Sequence, residues 1–244
     1  MHIDVRRVEY PDVQALRGLY RQEANCQIIH DSILSRGWAD PYLIFVDDRI
    51  GGYGAVWNRI DKDRLMEFYT LPYVRGSALP MFRELVTVSG ATHIEAQTNM
   101  PLMLLMLYDC AKNISVENIL FHDVFLTRLA SPNGIFRHAT PADNGLDAEV
   151  DWVIETDGGI VATGGFLCHY NPPYGDVYMN VAEPARRQGY GSYLVQEIKR
   201  VCYEAGRKPA ARCNPANAAS RRTLEKAGLL PCGRLLVGEV DGVP

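Results

Sequence analysis

The sequence predicts an α/β protein with mixed sheets, built from two similar halves. Its 244 residues are enough for two small domains. In the second half, the stretch "GDVYMNV" (175–181) predicts a strand, and a Gly-containing turn leads from it into a helix over 191–205. Similar signals occur about 110 to 115 residues earlier. An offset well beyond solenoid repeat lengths indicates duplication of a whole domain.

The first half contains two helical segments, a hairpin and two further strand-and-helix segments. The hairpin is predicted to turn near Asp47 and Asp48. In chain order the segments are "DVQALRGLYRQEA" (12–24), "HDSILSRGW" (30–38), "YLIFVDDRIGGYGAVW" (42–57), "DRLMEFYTLPYVRGSALPMFREL" (63–85) and "THIEAQTNMPLMLLMLYDCA" (92–111).

The second half repeats the later part of this order. Its hairpin is "DWVIETDGGIVATGGFL" (151–167), and "PAARCNPANAASRRTLEKAGLLPCGRLLVGEV" (209–240) supplies a strand, a helix and a final strand. Between them, the helix over 191–205 ends at Gly206, a natural C-terminal stop. Its face is marked by apolar residues at helical spacing, namely Leu194, Ile198, Val201, Cys202 and Ala205.

The domain limits follow from composition and from the space available. The segment "LASPNG" (129–134) has the composition of a connection, so we predict one domain over 1–130 and a second over 135–244. Between about 136 and 148 there is little room for the two N-terminal helices of the first half. The two halves are therefore expected to complete one another.

Composition argues against several classes of protein. The net charge is −4 and the pI near 5.9, which argues against a broad nucleic-acid surface. No apolar run is long enough to span a bilayer, and the start of the chain lacks the apolar core of a secretory signal. The six cysteines show no CxxC spacing, which favours reduced thiols in a cytoplasmic protein.

The stretch "EPARRQGYGSYLVQEIKR" (183–200) carries the strongest functional signal. The backbone N–H groups of 187–192 are expected to be unpaired donors at the positive end of a helix, where glycines allow close approach of an anion. The run therefore predicts a phosphate-binding turn. In the alternative interpretation, Gly189 and Gly191 only turn the chain and the arginines are solvated. The spacing fits neither the GxxxxGK[ST] loop nor the GxGxxG dinucleotide motif.

This run resembles the GCN5-related N-acetyltransferase (GNAT) family, whose motif [Q/R]xxGx[G/A] is matched by Arg186, Gly189 and Gly191. The family pattern N..N..S......G also occurs downstream, at Asn214, Asn217, Ser220 and Gly228. The resemblance implies two tandem GNAT-like folds, with acetyl-coenzyme A as cosubstrate and its pantetheine arm between two splayed strands. The residues that it implies for cofactor binding are Val181, Arg186, Arg187, Gln188, Gly189, Tyr190, Gly191, Ser192, Asn217 and Ser220.

One alternative interpretation and two departures accompany the resemblance. Asn214 and Pro215 also suit the start of a helix, and Asn217 then merely joins that cap. Many family members place a proton-donating Tyr where this chain has Leu224. In the first half, Ala78 and Pro80 stand where the second has its two glycines. Because Pro offers no N–H to an anion, we expect the first half to be catalytically silent.

The chemistry that the resemblance implies is direct attack of an amine on the thioester of acetyl-coenzyme A in a ternary complex. Asp176 and Tyr178 are the candidate catalytic residues, and Asn180 shares their strand face. The corresponding strand of the first half carries Glu67 and Tyr69. We expect a monomer that acts on the primary amine of a small molecule, without metal, nucleic acid or membrane. A non-catalytic acyl-coenzyme A-binding module is the alternative.

Overall fold

The computed structural model describes residues 1–23, 31–143, 151–169 and 172–242. These form two compact units. The N-terminal unit takes its described residues from the chain up to Asn118 and again from Gly233 onward, and the C-terminal unit takes its own from Ile119–Cys232. The predicted domain limits, 1–130 and 135–244, describe the two copies of the duplicated sequence. They stay a prediction, because the boundaries of the compact units lie at other residues.

Both units mix helices with strands, which confirms the predicted mixed α/β fold. The described residues form helices α1 (Tyr10–Glu23), α2 (Asp31–Ser35), α3 (Ala78–Ser89), α4 (Pro101–Cys110), α5 (Tyr190–Glu204) and α6 (Ala218–Lys226). The strands are β1 (Ile3–Arg7), β2 (Ala39–Val46), β3 (Arg49–Trp57), β4 (Arg64–Thr70), β5 (His93–Gln97), β6 (Ala111–Asp123), β7 (Ile135–His138), β8 (Trp152–Thr156), β9 (Gly159–Leu167), β10 (Tyr174–Val181), β11 (Lys208–Cys213) and β12 (Leu229–Val240).

The N-terminal unit is built on strands in the order β1-β2-β3-β4-β5-β12. Neighbouring strands are antiparallel except β4 and β5, which are parallel. Helix α3 packs on this sheet through buried apolar residues, and the ring of Phe82 meets that of Phe68 edge-on at 5.0 Å. Such packing removes large apolar areas from water, which is the main stabilising contribution to a unit of this size.

The hairpin of the N-terminal unit turns where the sequence predicts. Strands β2 and β3 are antiparallel, and Asp47 and Asp48 connect them with φ of +48° and +61°. Two successive left-handed residues give the turn whose twist matches that of paired strands. Aspartate tolerates this conformation better than most residues.

The C-terminal unit has strands in the order β6-β11-β10-β9-β8-β7, again with one parallel pair, β10 and β11. Helix α5 buries Leu194, Val195 and Ile198 completely, and they share one core cluster with Val177 and Ala211. The helix expected over 191–205 is thus present, shifted by one residue at each end.

In each unit the parallel strands pair briefly and then separate. β4 pairs with β5 only at Arg64 and Leu65, so Met66–Thr70 continue without a registered partner on that side. β10 pairs with β11 only at 174–176, and Val177–Val181 continue in the same way. The matching extents of the open edges support duplication, since corresponding positions in β4 and β10 lie 111 residues apart.

Other predicted segments agree only in part. The second helix is short, Asp31–Ser35, while Ala24 and His30 of the two predicted helical segments lie outside the described residues. At the start of the second half the described residues form a 3-10 turn at Pro141–Asp143, and 144–150 lie outside the description. Within the described chain, no helix combines the length and apolarity needed to cross a membrane.

Candidate functional site

The connection from β10 to α5 is a turn of unusual backbone conformation. After β10 ends at Val181, a 3-10 turn covers Glu183–Ala185, and Arg187 then adopts a φ of +65°. Gly189 caps α5 with a φ of +94°, a left-handed conformation that L side chains rarely adopt. The backbone conformation at 189 therefore favours glycine.

The amides of this turn are unpaired donors. Among the described residues, none of the backbone N–H groups of 187–192 donates to a protein acceptor, and the first bond of the helix runs from Tyr193 N to Gly189 O at 3.1 Å. Six such groups at a helix N-terminus, where the macrodipole is positive, form an environment that binds anions.

Gly191 has a different role from Gly189. A Cβ at this position would lie 3.2 Å from side-chain atoms of both Thr223 and Val181, whereas a Cβ at Gly189 would meet no atom within 4 Å. Gly191 thus lets the start of α5 approach β10 and α6 closely. Gly189 is favoured by the conformation of the turn, and Gly191 is needed for close packing of α5. The alternative interpretation, in which the glycines have a structural role, therefore holds in part.

Several side chains of the turn donate hydrogen bonds to backbone carbonyls and so stabilise its conformation. Arg186 donates from Nε to the carbonyl of Val181 at 3.2 Å, and Gln188 donates from Nε2 to the carbonyl of Pro184 at 2.9 Å. Tyr190 is buried and donates to the carbonyl of Asn133, while Ser192 donates to that of Gly189. For Tyr190 and Ser192 the group left for a ligand is therefore the backbone amide.

A cleft of about 1070 Å³ opens beside this turn, between the end of β10 and the first turns of α6. It is lined by eight of the ten residues that the resemblance implies for cofactor binding, and the other two, Gln188 and Tyr190, are not among its lining residues. Arg222 and Lys226 also line it. Their spacing of four on α6 was a signal available in the sequence, because such residues share one helix face.

Asn217 is occupied at the start of α6. Its Oδ1 accepts from the amide of Ser220 at 3.0 Å, and Oδ1 of Asn214 accepts from the amide of Ala216 at 2.8 Å. This is the capping role that the sequence left as an alternative, and it satisfies amides that the helix itself leaves unpaired. Asn217 and Ser220 nevertheless line the cleft.

The two candidate catalytic residues lie on β10, each with a charged or polar partner. Asp176 is 8% exposed and forms an ion pair with Arg212 at 3.0 Å. The hydroxyl of Tyr178 donates to Oδ2 of Asp151 at 3.2 Å. A Cβ at Gly165 would lie 2.5 Å from this hydroxyl oxygen, so the absence of a side chain there lets the two residues meet. Asp151 was missed because it is 27 positions away along the chain.

The corresponding turn of the N-terminal unit keeps its arginine contact but uses one of its amides within the turn and replaces another by proline. Arg75 donates to the carbonyl of Thr70 at 2.8 Å, just as Arg186 does to that of Val181. Ala78, however, is right-handed with a φ of −58°, and its amide donates to the carbonyl of Arg75. Pro80 adds no donor. Within the part of the chain described, the run of six unpaired amides is thus a feature of the C-terminal unit.

A splayed pair of parallel strands, with an amide-rich turn leading into a helix, is the arrangement that the resemblance to the GNAT family implies. Residues 120–229 match the family model of the acetyltransferase (GNAT) family. The second half of the chain is therefore a GNAT domain, and the resemblance inferred from its motifs is confirmed.

Solved structures extend the likeness to the whole chain. An acetyltransferase from the GNAT family of Colwellia psychrerythraea has a TM-score of 0.79 at 15% identity, covering 98% of this chain and 100% of its own. A tandem GNAT protein from the clavulanic acid biosynthesis pathway has a TM-score of 0.59 at 12% sequence identity, and the match covers 98% of each chain. A GCN5-related N-acetyltransferase from Sphaerobacter thermophilus has a TM-score of 0.58 at 16% sequence identity, and the match covers 99% of this chain and 96% of that protein. Among curated proteins none matches. At these identities the likeness establishes the tandem GNAT fold.

Proposed function

We propose that the protein is an N-acetyltransferase that uses acetyl-coenzyme A and acts on the primary amine of a small molecule. The observation that carries the proposal is the set of six unpaired backbone amides at 187–192, beside a cleft of about 1070 Å³. A pyrophosphate carries the charge and the acceptor oxygens that these donors require.

The residues of the C-terminal unit fit this cosubstrate. The amides of 187–192 would hold the pyrophosphate, and Arg186, Arg187, Arg222 and Lys226 add positive charge around the same cleft. The open edge of β10 up to Val181 offers backbone groups to the amide-bearing pantetheine arm. When bound, coenzyme A supplies the acetyl group as an activated thioester.

We assign proton handling to the half-buried Tyr178 of β10. An amine attacks only when it is unprotonated, so a group that accepts its proton assists the reaction. Tyr178, with its hydroxyl held by Asp151, offers a route by which that proton reaches a carboxylate. Asp176 is tied to Arg212, and we assign it to holding charge beside the amine rather than to taking its proton.

A thiol-release assay over a panel of small primary amines tests the proposal. We expect acetyl-dependent release of coenzyme A thiol with at least one amine, and no release without one. The alternative, a non-catalytic acyl-coenzyme A-binding module, is favoured by the buried Leu224 at the position of the family's Tyr. That alternative predicts tight binding of coenzyme A with no transfer to any amine in the panel.

Replacing Tyr178 by phenylalanine separates its chemical role from a structural one. If the hydroxyl passes on the proton of the amine, we expect kcat to fall by roughly a hundredfold, within the usual range of general acid–base contributions. The Kd of coenzyme A should be unchanged, because Tyr178 is not among the residues lining the cofactor cleft. An unaltered kcat with the best amine of the panel would exclude Tyr178 from proton transfer.

No acetylated cysteine is expected on the reaction path. Burial raises the pKa of the Cys202 thiol to about 12 and also raises those of Cys110 and Cys213, so these thiols stay protonated and poorly nucleophilic at neutral pH. Intact-protein mass spectrometry after incubation with acetyl-coenzyme A alone should show no stoichiometric acetylation. A stoichiometric acetyl adduct mapped to a cysteine would replace the ternary-complex mechanism by a two-step one.

A further inference from the structure

The N-terminal unit contains a second cleft, of about 560 Å³, beside the open edge of β4. Its position corresponds to that of the cofactor cleft, since it adjoins the first turns of α3 and α4. Its wall is mainly apolar and aromatic, formed among others by Tyr20, Phe68, Tyr69, Met100, Met103 and Leu105. The volume and the lining are those of a small-molecule site.

The charges around this cleft are already paired. Arg75 lies on its wall and is bound to Glu23 at 2.9 Å, with a second bond to the carbonyl of Thr70. The amide of Ala78 is used by the carbonyl of Arg75. Within the part of the chain that the structure describes, the charge of Arg75 is thus balanced by Glu23, although its Nε is buried without a hydrogen-bond partner. A further ionised group in the cleft would lose its hydration without a counter-ion.

A buried hydroxyl of the cleft, that of Tyr20, has a weak partner among the described residues. Tyr20 is 4% exposed, and the acceptor of its hydroxyl within the described chain is the sulfur of Met100, at 3.4 Å. A thioether is a weak acceptor, and buried hydroxyl groups are normally satisfied by oxygen or nitrogen. Burial raises the pKa of Tyr20 well above its usual value, so the hydroxyl remains a donor.

We propose that this cleft binds an uncharged, mainly apolar small molecule that carries a carbonyl oxygen, as in a simple N-alkyl or N-aryl amide. The carbonyl accepts the hydrogen bond of Tyr20, the body lies against the thioethers of Met100 and Met103, and the open edge of β4 provides backbone partners for an amide. The first half is then a binding module distinct from the cofactor cleft, whatever reaction the second half performs.

The proposal is tested on the full chain with methionine-methyl labelling and NMR titration. N-benzylacetamide and N-hexylacetamide are the probes, and phenylacetate and hexylamine are charged molecules of similar size. We expect the methyl signals of Met100 and Met103 to shift with either amide, and the charged molecules to bind at least tenfold more weakly because a charge is buried unpaired. Absence of shifts with both amides at millimolar concentration overturns the proposal, as does equal binding of the charged molecules.

Two substitutions locate the site. Tyr20→Phe removes the hydroxyl and keeps the ring, and should weaken amide binding roughly two- to twelvefold. Ala78→Phe places a ring in the cleft from a residue with ordinary helical φ and should abolish binding. Tyr73→Phe is the matched control, since Tyr73 is exposed and bonds the carbonyl of Ile50 away from the cleft. Equal amide affinities for wild type, Tyr20→Phe and Tyr73→Phe would overturn the proposal even if Ala78→Phe does not fold.

Discussion

Replacing Gly189 by valine is expected to weaken coenzyme A binding by about tenfold to a few hundredfold. The residue has a φ of +94°, which valine does not adopt without strain, so the turn must rearrange and its amides lose their common direction. Hydrogen bonds to charged groups contribute about 1.5 to 3 kcal/mol each, and losing one or two gives a change of this size. The side chain itself meets no protein atom within 4 Å, so α5 can still form.

The matched control is Ala78→Val in the N-terminal unit. Ala78 occupies the corresponding position but is right-handed, with its amide already bonded. Its replacement should leave the Kd of coenzyme A nearly unchanged. Calorimetric titration of the wild type and both variants gives the comparison, with circular dichroism to confirm folding. Equal affinities for the wild type and a folded Gly189→Val protein would mean that the glycine only turns the chain.

Replacing Glu67 by glutamine should destabilise the N-terminal unit by about 3 to 5 kcal/mol. Glu67 is fully buried and receives two hydrogen bonds from Arg17, at 2.9 and 2.7 Å, and one from the hydroxyl of Tyr53 at 2.9 Å. Removing its charge takes from the buried guanidinium of Arg17 the carboxylate that accepts two of its hydrogen bonds. The cost is large because neither group reaches water, and urea unfolding followed by circular dichroism measures it.

The double variant Arg17→Met, Glu67→Met provides the control. Replacing both members of a buried pair by apolar groups of similar volume is often neutral, so this protein should be more stable than Glu67→Gln. A loss for Glu67→Gln below about 1 kcal/mol, the scale of an exposed pair, would contradict the assigned burial. This strand position of the first half is thus structural, in contrast to the corresponding Tyr178 of the second half, to which we assign proton transfer.

Much of the fold follows from the sequence, because its signals are local. The hairpin turn at Asp47 and Asp48, the helix after Gly189 and the lost glycines at Ala78 and Pro80 each depend on a few adjacent residues. The duplication was indicated in the sequence by similar signals at a constant spacing along the chain. The matching bonds of Arg75 and Arg186 to strand carbonyls show its structural basis.

The parts that the sequence did not predict depend on contacts between distant residues. The carboxylate of Asp151 meets the hydroxyl of Tyr178 because Gly165 has no side chain to occupy the space between them. The bond between Tyr20 and Met100 joins positions 80 residues apart, so the cleft of the N-terminal unit has no local signature. Tyr190 could not be distinguished as a core residue either, because its partner is the carbonyl of Asn133, 57 residues away.

An amide-resolved NMR titration with acetyl-coenzyme A tests the central claim most directly, since it reports on the backbone N–H groups that the proposed function uses. One molecule should bind per chain, the signals of 187–192 should shift most, and those of 75–79 in the N-terminal unit should stay in place. Binding that leaves 187–192 unperturbed, or that perturbs 75–79 to the same extent with a second molecule bound, would contradict the account.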